Sequence, residues 1–586
     1  MKLKILATLA GLALLAGCTP VGEPSGPSSS AASTSPTASA TGSTPLVPDS
    51  IDQVLANSLT PNYSEDDLVW DHSTEVKITL SDSGSSGGDG VDVDGSVVTV
   101  TKPGTYRVSG TLSDGQLAVD STGVVRLILD TVTITNNSSS ALVAQHADKL
   151  IIITAEDTVN TLTDATTYVY PDADTTEPDA ALFSSVDTVF GGDGELAVNG
   201  RATDAITSKD GLVIASGTID VSAVDDGIKG RDYLVVSDGI ITATTGGQGL
   251  KSTQDSDSAA GYILVSGGTI NVTTTGSSSD CVNAVTSALF TGGTLTLSCT
   301  DDAIHADTLV MVEDGDITVP STYEGLESDA VVIAGGKIDV TSSDDAINAT
   351  DGSGAGNPGG GRPGGTGGTG GFPGGGATPG QVPDGQASSG GFPGGSGRQP
   401  GGAPDAAPSG GFGGGPGGTA PNGAAPGGTG GRGGAGGGGG GFAVENATVV
   451  IRGGEITLQA GGDGIDSNGT IAISGGTTIA AGANRAGDGA LDSNGSLQVS
   501  GGIVAAIGGS SRMLKTPDEN SPQQWFSQTT AIEQGDIISI TTQNGAFTFT
   551  ASEQAQNIVF TSPDLASGAT LTVGGGSEIT PECHGG

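Results

Sequence analysis

Hydrophobic and polar residues alternate in short runs through much of the chain. The segments 217–221, 268–272 and 336–340 place Ile or Val in alternation with Thr, Asp or Asn. This period of two is typical of a strand with one buried face. No stretch from 204 to 350 shows convincing helical periodicity, so the pattern predicts an all-β fold.

A short acidic motif returns at an almost fixed spacing within this alternating pattern. The apolar residue that follows each motif serves as its marker, and the markers are Ile206, Ile228, Leu250, Val282, Ile304, Leu326 and Ile347. Successive markers lie 22, 22, 32, 22, 22 and 21 residues apart. Such a period indicates a repeat architecture. Short strands without helices then predict a right-handed parallel β-helix, a solenoid of about 22 residues per coil, rather than a β-sandwich with accidental periodicity.

Changes in composition divide the chain into segments. Residues 51–351 form the first part of the predicted β-helix, and residues 352–441 are a Gly/Pro-rich insertion that we expect to be disordered. The repeat resumes beyond the insertion, so 442–515 supply the final coils of the same domain. Residues 516–586 contain strand-like runs without the acidic motif and predict a β-rich C-terminal cap and tail.

The first 18 residues have the features of an export signal. Lys2 and Lys4 precede the apolar stretch 5–15, which is too short for a good transmembrane helix. The sequence 15–18 resembles a bacterial lipobox, which implies cleavage before Cys18 and lipidation of its thiol; the alternative is an ordinary secretory signal with a chance cysteine. With 19–50 as a Ser/Thr/Pro-rich tether, we expect an exported protein anchored to the outer face of the bacterial cell membrane.

The charge balance restricts the partners. The chain has 586 residues with 65 acidic and 20 basic side chains, a formal charge of −45. Such a surface repels nucleic acid and anionic membrane and favours cations. We therefore expect no nucleic-acid partner, membrane contact only through the lipid anchor, and a monomer.

The repeat aligns its acidic residues into columns. The column two residues before the markers holds Asp204, Asp226, Gln248, Asp280, Asp302, Glu324, Asp345 and, beyond the insertion, Asp463. The residue before each motif acid adds Asp225, Asp301 and Asp344. The column one residue after the markers holds Thr207, Lys229, Lys251, Asn283, His305, Glu327, Asn348, Asp466 and Asp492.

Stacked carboxylates need a physical explanation, because two of them about 5 Å apart repel by roughly 0.8 kcal/mol even in water. One explanation is that each Asp caps the amides of a recurring turn. The other is that Ca²⁺ bridges the acids, since this ion prefers hard oxygen ligands. The predicted metal ligands are Asp225, Asp226, Asp280, Asp301, Asp302, Glu324, Asp344, Asp345, Asp463 and Asp466.

Cysteines add one further constraint. Cys281 and Cys299 lie 18 residues apart, a little less than one repeat, so a disulfide between neighbouring coils and two free thiols both remain open. Cys583 lies in the tail without an obvious partner.

Several segments together resemble a known family. They include 102–112, 147–150 with 160–164, 208–212, the turn 225–230 and the Gly-Gly-Thr-Ile strands. They are similar to the carbohydrate-binding domain-containing proteins first recognised in cellulolytic clostridia, which look like pectate lyases that lack the lyase site. The resemblance covers roughly 75–350 and 443–580 and implies binding of calcium and of polysaccharides such as cellulose and polygalacturonate.

Three functions follow as hypotheses. The first is a calcium-dependent polysaccharide-binding surface protein without catalysis. The second is an active polysaccharide lyase on the same scaffold, whose base would be Lys229, Arg231 or Lys251. The third is a structural or adhesive surface protein. Trp70 and Trp525 lie outside the clear repeats and are expected to be packing residues rather than a sugar platform.

Overall fold

The fold is built almost entirely of short β-strands. The structure, a computed structural model, describes residues 47–172, 174–351, 444–484, 488–509 and 514–586. Within these residues no helix is long and apolar enough to cross a membrane. The helical elements are α1 (Ile51–Leu55) and two 3₁₀ turns, Glu65–Leu68 and His72–Thr74.

The strands before the first marked repeat are β1 Val76–Ser81, β2 Val91–Asp94, β3 Val97–Val100, β4 Gly104–Leu112, β5 Gln116–Asp120, β6 Val124–Thr135, β7 Leu142–His146, β8 Lys149–Thr154, β9 Val159–Thr163, β10 Ala180–Ser184, β11 Thr188–Gly192 and β12 Glu195–Gly200. The repeat region up to the insertion contains β13 Asp204–Ser208, β14 Gly211–Ile214, β15 Thr218–Ala223, β16 Ile228–Gly230, β17 Tyr233–Val236, β18 Ile240–Thr245, β19 Leu250–Ser252, β20 Tyr262–Val265, β21 Thr269–Thr274, β22 Val282–Ala284, β23 Ser287–Ser298, β24 Ile304–Ala306, β25 Leu309–Thr322, β26 Leu326–Ser328, β27 Ala330–Ile333, β28 Lys337–Ser342 and β29 Ile347–Ala349.

The strands that follow the insertion are β30 Thr448–Ile451, β31 Glu455–Ala460, β32 Asp466–Ser467, β33 Thr470–Ala481, β34 Leu497–Gly508, β35 Trp525–Ile532, β36 Ile537–Thr542, β37 Gly545–Thr550, β38 Ala555–Thr561 and β39 Leu571–Val573. They assemble with the earlier strands into sheets of 23, 13 and 3 strands. We call the 13-stranded sheet the short-strand sheet, because it contains the three-residue strands that carry the markers.

Parallel pairing between equivalent strands of successive repeats dominates the two larger sheets. Leu196, for example, pairs with Ile219, and Ile219 pairs with Ile241, so like residues stack in register. The inward residues of these stacks are fully buried and form one continuous apolar core. Burial of these Ile, Leu and Val side chains is the main force that holds the sheets around the core.

The large sheet continues around the corner of each repeat where a strand is long enough. Strand β23 pairs with β20 through Ala288–Phe290 and with β21 through Thr294–Ser298. The predicted open, right-handed parallel β-helix is therefore wrong: the large sheet closes around the core as a parallel β-barrel. The period predicts which residues stack on one another, but it contains no information on whether the sheet is open or closed.

The chain on either side of the insertion belongs to the same sheets. Val331 pairs with Val449 and Ile338 with Ile456 across the gap. The expected disorder of 352–441 concerns a segment that lies outside the described residues. The predicted signal 1–18 and most of the tether 19–50 also lie outside them.

Antiparallel strands follow the last parallel repeat. Strand β34 pairs with β38, and β38 pairs with β35, both antiparallel. Strands β36, β37 and β39 form the three-stranded sheet. Phe526 and Phe560 lie at the centre of a second apolar cluster beneath these strands. This cluster covers the end of the parallel sheets with apolar side chains of its own.

An extended N-terminal segment lies on the outer face of the large sheet. Ile51 is buried against Leu289 and Met311, and Leu59 packs near Tyr233 and Tyr262. The hydroxyl of Tyr262 donates to the carbonyl of Leu59 at 2.7 Å. These contacts lie on the large sheet, whereas the acidic columns lie on the short-strand sheet.

Candidate functional site

The marker residues align in register on the short-strand sheet. Ile206 pairs with Ile228, Ile228 with Leu250, and Leu250 with Val282. The same register runs through β24, β26, β29 and β32. Acids at a constant distance from the markers are therefore neighbours in space. We call the column two residues before the markers the carboxylate column.

Six members of the carboxylate column accept a backbone hydrogen bond from the next repeat: Asp204, Asp226, Gln248, Asp280, Asp345 and Asp463. The Oδ1 atom of Asp204 accepts from the amide of Asp226 at 3.1 Å, and Asp226 accepts from Gln248 at 3.0 Å. Further along, Asp280 accepts from Asp302 at 3.0 Å. Beyond the insertion, the Oδ1 atom of Asp345 accepts from the amide of Asp463 at 2.6 Å.

One oxygen of each of these Asp side chains thus caps a turn, as the first explanation of the column predicts. The other oxygen is directed to a neighbouring side chain. Asp280, for example, accepts from Asn283 through Oδ2 at 2.6 Å. The turn-capping and cation-binding explanations are therefore compatible, because they use different oxygens of the same carboxylate.

Two lysines from the column after the markers lie against the first part of the carboxylate column. Lys229 donates to Asp204 and lies 3.6 Å from Oδ2 of Asp226, and Lys251 lies 2.9 Å from the same Oδ2. Burial lowers the pKa of Lys229, but the charges of Asp204 and Asp226 outweigh burial and raise it to about 12. We call these four residues the cation-filled segment.

A histidine from the column after the markers lies against the middle of the carboxylate column. The Nδ1 atom of His305 lies 3.2 Å from Oδ2 of Asp302 and 3.0 Å from Oε2 of Glu327. Its Nε2 atom lies 3.3 Å from Oδ1 of Asp307. Burial opposes protonation, yet the three carboxylates raise the pKa of His305 to about 12. Burial also raises the pKa of Asp280 and Asp302.

Acids occupy the last part, where the charge of Lys515 opposes the burial that raises the pKa of Asp492. Asp463, Asp466 and Asp492 offer carboxylate oxygens within 4.8 Å of one another. Among the described residues, no Lys, Arg or His forms an ion pair with any of the three. Burial, followed by repulsion between the acids, raises the pKa of Asp463 to about 9 and that of Asp466 to about 8. We call these three residues the acid-only segment.

Glycines let the chain approach the column closely. A Cβ atom on Gly247 would collide with the carboxylates of Asp225 and Asp226, and one on Gly462 would collide with those of Asp344 and Asp345. These glycines lie one residue before the column positions Gln248 and Asp463. Each places its backbone where a side chain would push the neighbouring acids away.

The predicted metal ligands fall into separate groups. Asp225 and Asp226 gather with Asp204, Asp301 and Asp302 gather with Asp280, and Asp463 and Asp466 gather with Asp492, each group within 4.8 Å. Glu324 accepts a hydrogen bond from Asn348 at 2.9 Å. Burial raises the pKa of Asp345 to about 7. The backbone amide of Asp344 donates to the carbonyl of Tyr323 at 2.9 Å. Cys18, the predicted lipidation site, lies outside the described residues.

In the column after the markers, the sequence predicts a metal ligand only at Asp466. Lys229, His305, Glu327 and Asp492 all face the predicted acids. The sequence contains a pattern that could have identified these residues. Each lies three residues after a position of the carboxylate column, as Lys229 does after Asp226. That spacing puts both side chains on the same short turn and strand.

Of the three candidates for a catalytic base, the two lysines are held in ion pairs, while Arg231 is exposed. Lys229 is ion-paired on both sides and Lys251 is ion-paired with Asp226. A pKa of about 12 makes Lys229 a poor base near neutral pH. Trp70 donates to Glu75 at 2.9 Å and packs against the apolar cluster on the outer face of the large sheet. Trp525 is 6% exposed, so both are packing residues.

A disulfide joins two repeats beside the column. Cys281 and Cys299 are bonded, with their Cα atoms 5.6 Å apart. Cys281 directly follows Asp280, so the bond anchors the middle of the carboxylate column to the core. Cys583 is free and half-buried.

Comparisons with known proteins agree on the coarse character of the chain. Residues 94–354 match the family model described as carbohydrate-binding domain-containing protein. A protein of that description from Acetivibrio thermocellus is 38% identical over 137 residues, which are 23% of this chain and 48% of the relative. The chain thus spans about half the length of this curated relative.

One solved structure is similar in sequence over a larger share of its own length. It is described as the polysaccharide lyase-like protein from C. thermocellum in its gadolinium derivative; the match is 31% identical, covers 42% of this chain and 94% of that chain, and has a TM-score of 0.36. The comparisons support the carbohydrate-binding part of the resemblance and leave its pectate-lyase-like part unconfirmed.

Proposed function

We propose that this chain is a polysaccharide-binding protein whose binding depends on calcium and involves no catalysis. Its ligand is an acidic polysaccharide of the pectin or polygalacturonate type, or a cellulosic one. The observation that carries the proposal is the acid-only segment, in which Asp463 is buried and Asp466 and Asp492 are half-buried. It belongs to a chain whose residues 94–354 match the carbohydrate-binding domain-containing family model.

The donor set of the acid-only segment fits calcium. Two oxygens at 2.3–2.6 Å from one calcium ion lie at most about 5 Å apart. The oxygens of Asp463, Asp466 and Asp492 satisfy this limit, since they lie within 4.8 Å of one another. Asp345 adds a further carboxylate whose charge raises the pKa of both Asp463 and Asp466.

Net charge explains why the polysaccharide and the metal go together. A chain with a formal charge of −45 repels a polyuronate over its whole surface. A divalent ion held by protein carboxylates attracts the sugar carboxylates and removes part of that repulsion. Calcium would supply this attraction, while the protein's own residues position the ion and complete the contact.

Binding assays with and without a chelator test the proposal. Polygalacturonate and cellulose are each immobilised, and retention of the protein is measured in calcium and in EGTA. We expect retention on polygalacturonate in calcium and its loss in EGTA. The double substitution D463N/D466N should bind as the chelated protein does, while D92N, which removes an exposed acid of β2, should bind normally.

The same assay separates the competing functions. Unsaturated, ultraviolet-absorbing product released from polygalacturonate in calcium would establish a lyase instead. Calcium that raises the melting temperature but leaves retention unchanged would make the metal structural and refute calcium-dependent binding. Binding to neither polysaccharide would favour the structural or adhesive alternative.

We also propose that Cys18 is lipidated and that the protein is anchored to the outer face of the bacterial membrane. The support is the lipobox-like sequence 15–18 and the following Ser/Thr/Pro-rich stretch. Expression in a bacterial host with a labelled fatty acid should label the protein and place it in the membrane fraction. C18A should lose both; persistence of both in C18A would refute the anchor.

A further inference from the structure

His305 differs chemically from every other residue in the column one residue after the markers. Calcium avoids nitrogen ligands, whereas zinc and related transition metals bind imidazole together with carboxylates. His305 lies between Asp302 and Glu327 on neighbouring strands, with His305 and Glu327 paired in register. We propose that His305, Asp302 and Glu327 form a binding site for a transition metal ion of the zinc class.

Distances between the donor atoms suit such an ion. Two ligand atoms about 2.0–2.1 Å from a tetrahedral zinc lie roughly 3.3–3.4 Å apart. The Nδ1 atom of His305 lies 3.2 Å from Oδ2 of Asp302 and 3.0 Å from Oε2 of Glu327. Small adjustments of these side chains are enough to admit the metal, and the backbone register that holds them stays unchanged.

The second nitrogen of the ring supports the assignment. A histidine that binds metal almost always donates its other N–H to a carboxylate, carbonyl or water, which fixes the tautomer. Nε2 of His305 lies 3.3 Å from Oδ1 of Asp307, an exposed acid two residues further along the chain. With the Nε2 proton directed to Asp307, the lone pair of Nδ1 faces Asp302 and Glu327.

The position of Asp302 is fixed by the column itself. Its amide donates to Oδ1 of Asp280 at 3.0 Å, so the residue is held from the preceding repeat. Asp302 and Glu327 are both buried, with 6% and 7% exposure, and His305 is half-buried. Three protein ligands and a partly open fourth side match the arrangement of zinc sites that keep one exchangeable position.

A protonated His305 that merely replaces the lysines of the cation-filled segment is the competing interpretation. A single Nδ1 proton cannot point well at two carboxylates at once, whereas a metal ion binds both. The geometry of the site therefore favours the metal.

Substitution by lysine provides the test, because lysine already occupies the equivalent position in two repeats. The metal-free full-length protein is titrated with Zn²⁺ by calorimetry and with Co²⁺ by its visible ligand-field absorption. We expect saturable binding that H305K abolishes. The control H146K changes a surface histidine that pairs only with Asp120 among the described contacts, and it should bind as the unsubstituted protein does.

Further variants and competition sharpen the result. D307N should weaken zinc binding by about 10–100-fold, as loss of an outer carboxylate does at known sites. E327Q should weaken it more, because a direct ligand is lost, and excess Ca²⁺ should not displace Co²⁺. Equal affinity of H305K and the unsubstituted protein, no binding to either, or displacement of Co²⁺ by Ca²⁺ would overturn the proposal. Melting curves check that each variant is folded.

Discussion

The cation-filled segment and the acid-only segment are two versions of the same column. Asp226 and Asp463 lie at equivalent positions in the column. The backbone amide of each donates to the carboxylate of the preceding member, Asp204 or Asp345, and the carboxylate of Asp226 accepts from the amide of Gln248. The position three residues after each is Lys229 in one case and Asp466 in the other. The residue at this position therefore decides whether the chain itself places a cation between the acids.

The largest effect is expected from removing a built-in cation. K229M leaves Asp204 and Asp226 buried without their shared lysine, and breaking a buried ion pair from one side costs about 3–5 kcal/mol. Chemical denaturation should show this loss in the free energy of unfolding. K337M, which changes an exposed lysine of β28, is the matched control and should change stability by less than about 0.5 kcal/mol. A small effect of K229M would mean that the segment does not depend on its own cation.

Calcium should stabilise the acid-only segment by a somewhat smaller amount. An ion at one hundred times its dissociation constant raises the free energy of unfolding by about 2.7 kcal/mol. Differential scanning calorimetry in calcium and in EGTA measures the change. D463N/D466N should abolish the calcium response while K229M retains it. A calcium response that survives in D463N/D466N would place the ion elsewhere in the column.

A dependence on pH follows from the raised pKa values of the acid-only segment. The pKa of Asp463 rises from its ordinary 3.8 to about 9. Between these values the folded chain binds more protons than the unfolded chain, so stability falls as pH rises. In EGTA we expect the free energy of unfolding to fall by about 2 kcal/mol between about pH 5 and pH 8. The fall is smaller than the full pKa shift implies, because hydration relieves part of the burial.

Calcium should flatten this pH dependence, because the bound ion holds the acids in their ionised form. Denaturation at several pH values, with and without EGTA, measures both curves. D463N/D466N should also be flatter than the unsubstituted protein in EGTA. Stability that rises with pH in EGTA would contradict the assignment of these raised pKa values.

Much of this comparison could be predicted from the sequence, because the markers fix the register. The alignment of Ile206 with Ile228 and Leu250 follows from their spacing of 22 residues, and with it the alignment of the acids. Spacing does not reveal how the sheet closes, since that depends on strands such as β23 continuing around a corner. The open β-helix was therefore the wrong expectation, although the stacked residues were identified.

The division of the column into a cation-filled and an acid-only segment was harder to predict, for a different reason. A count of acids at one position treats Asp226 and Asp463 as equivalent. The residue that distinguishes their surroundings, Lys229, lies in the column after the markers. Only the fold shows that Lys229 reaches back to Asp204 in the preceding repeat as well as to Asp226. The same is true of His305, whose contact with Glu327 spans 22 residues of sequence.

The smallest expected effect comes from converting one segment into the other. D466K places a lysine at the position that Lys229 and Lys251 occupy in the cation-filled segment. Its ammonium group should neutralise Asp463 and Asp492, so in EGTA the free energy of unfolding should rise by about 1 kcal/mol. The calcium response measured by calorimetry should disappear at the same time. D466N removes the acid without adding a cation and should lose the calcium response with a smaller gain in EGTA. If D466K instead keeps its calcium response, the two segments differ in more than their cation.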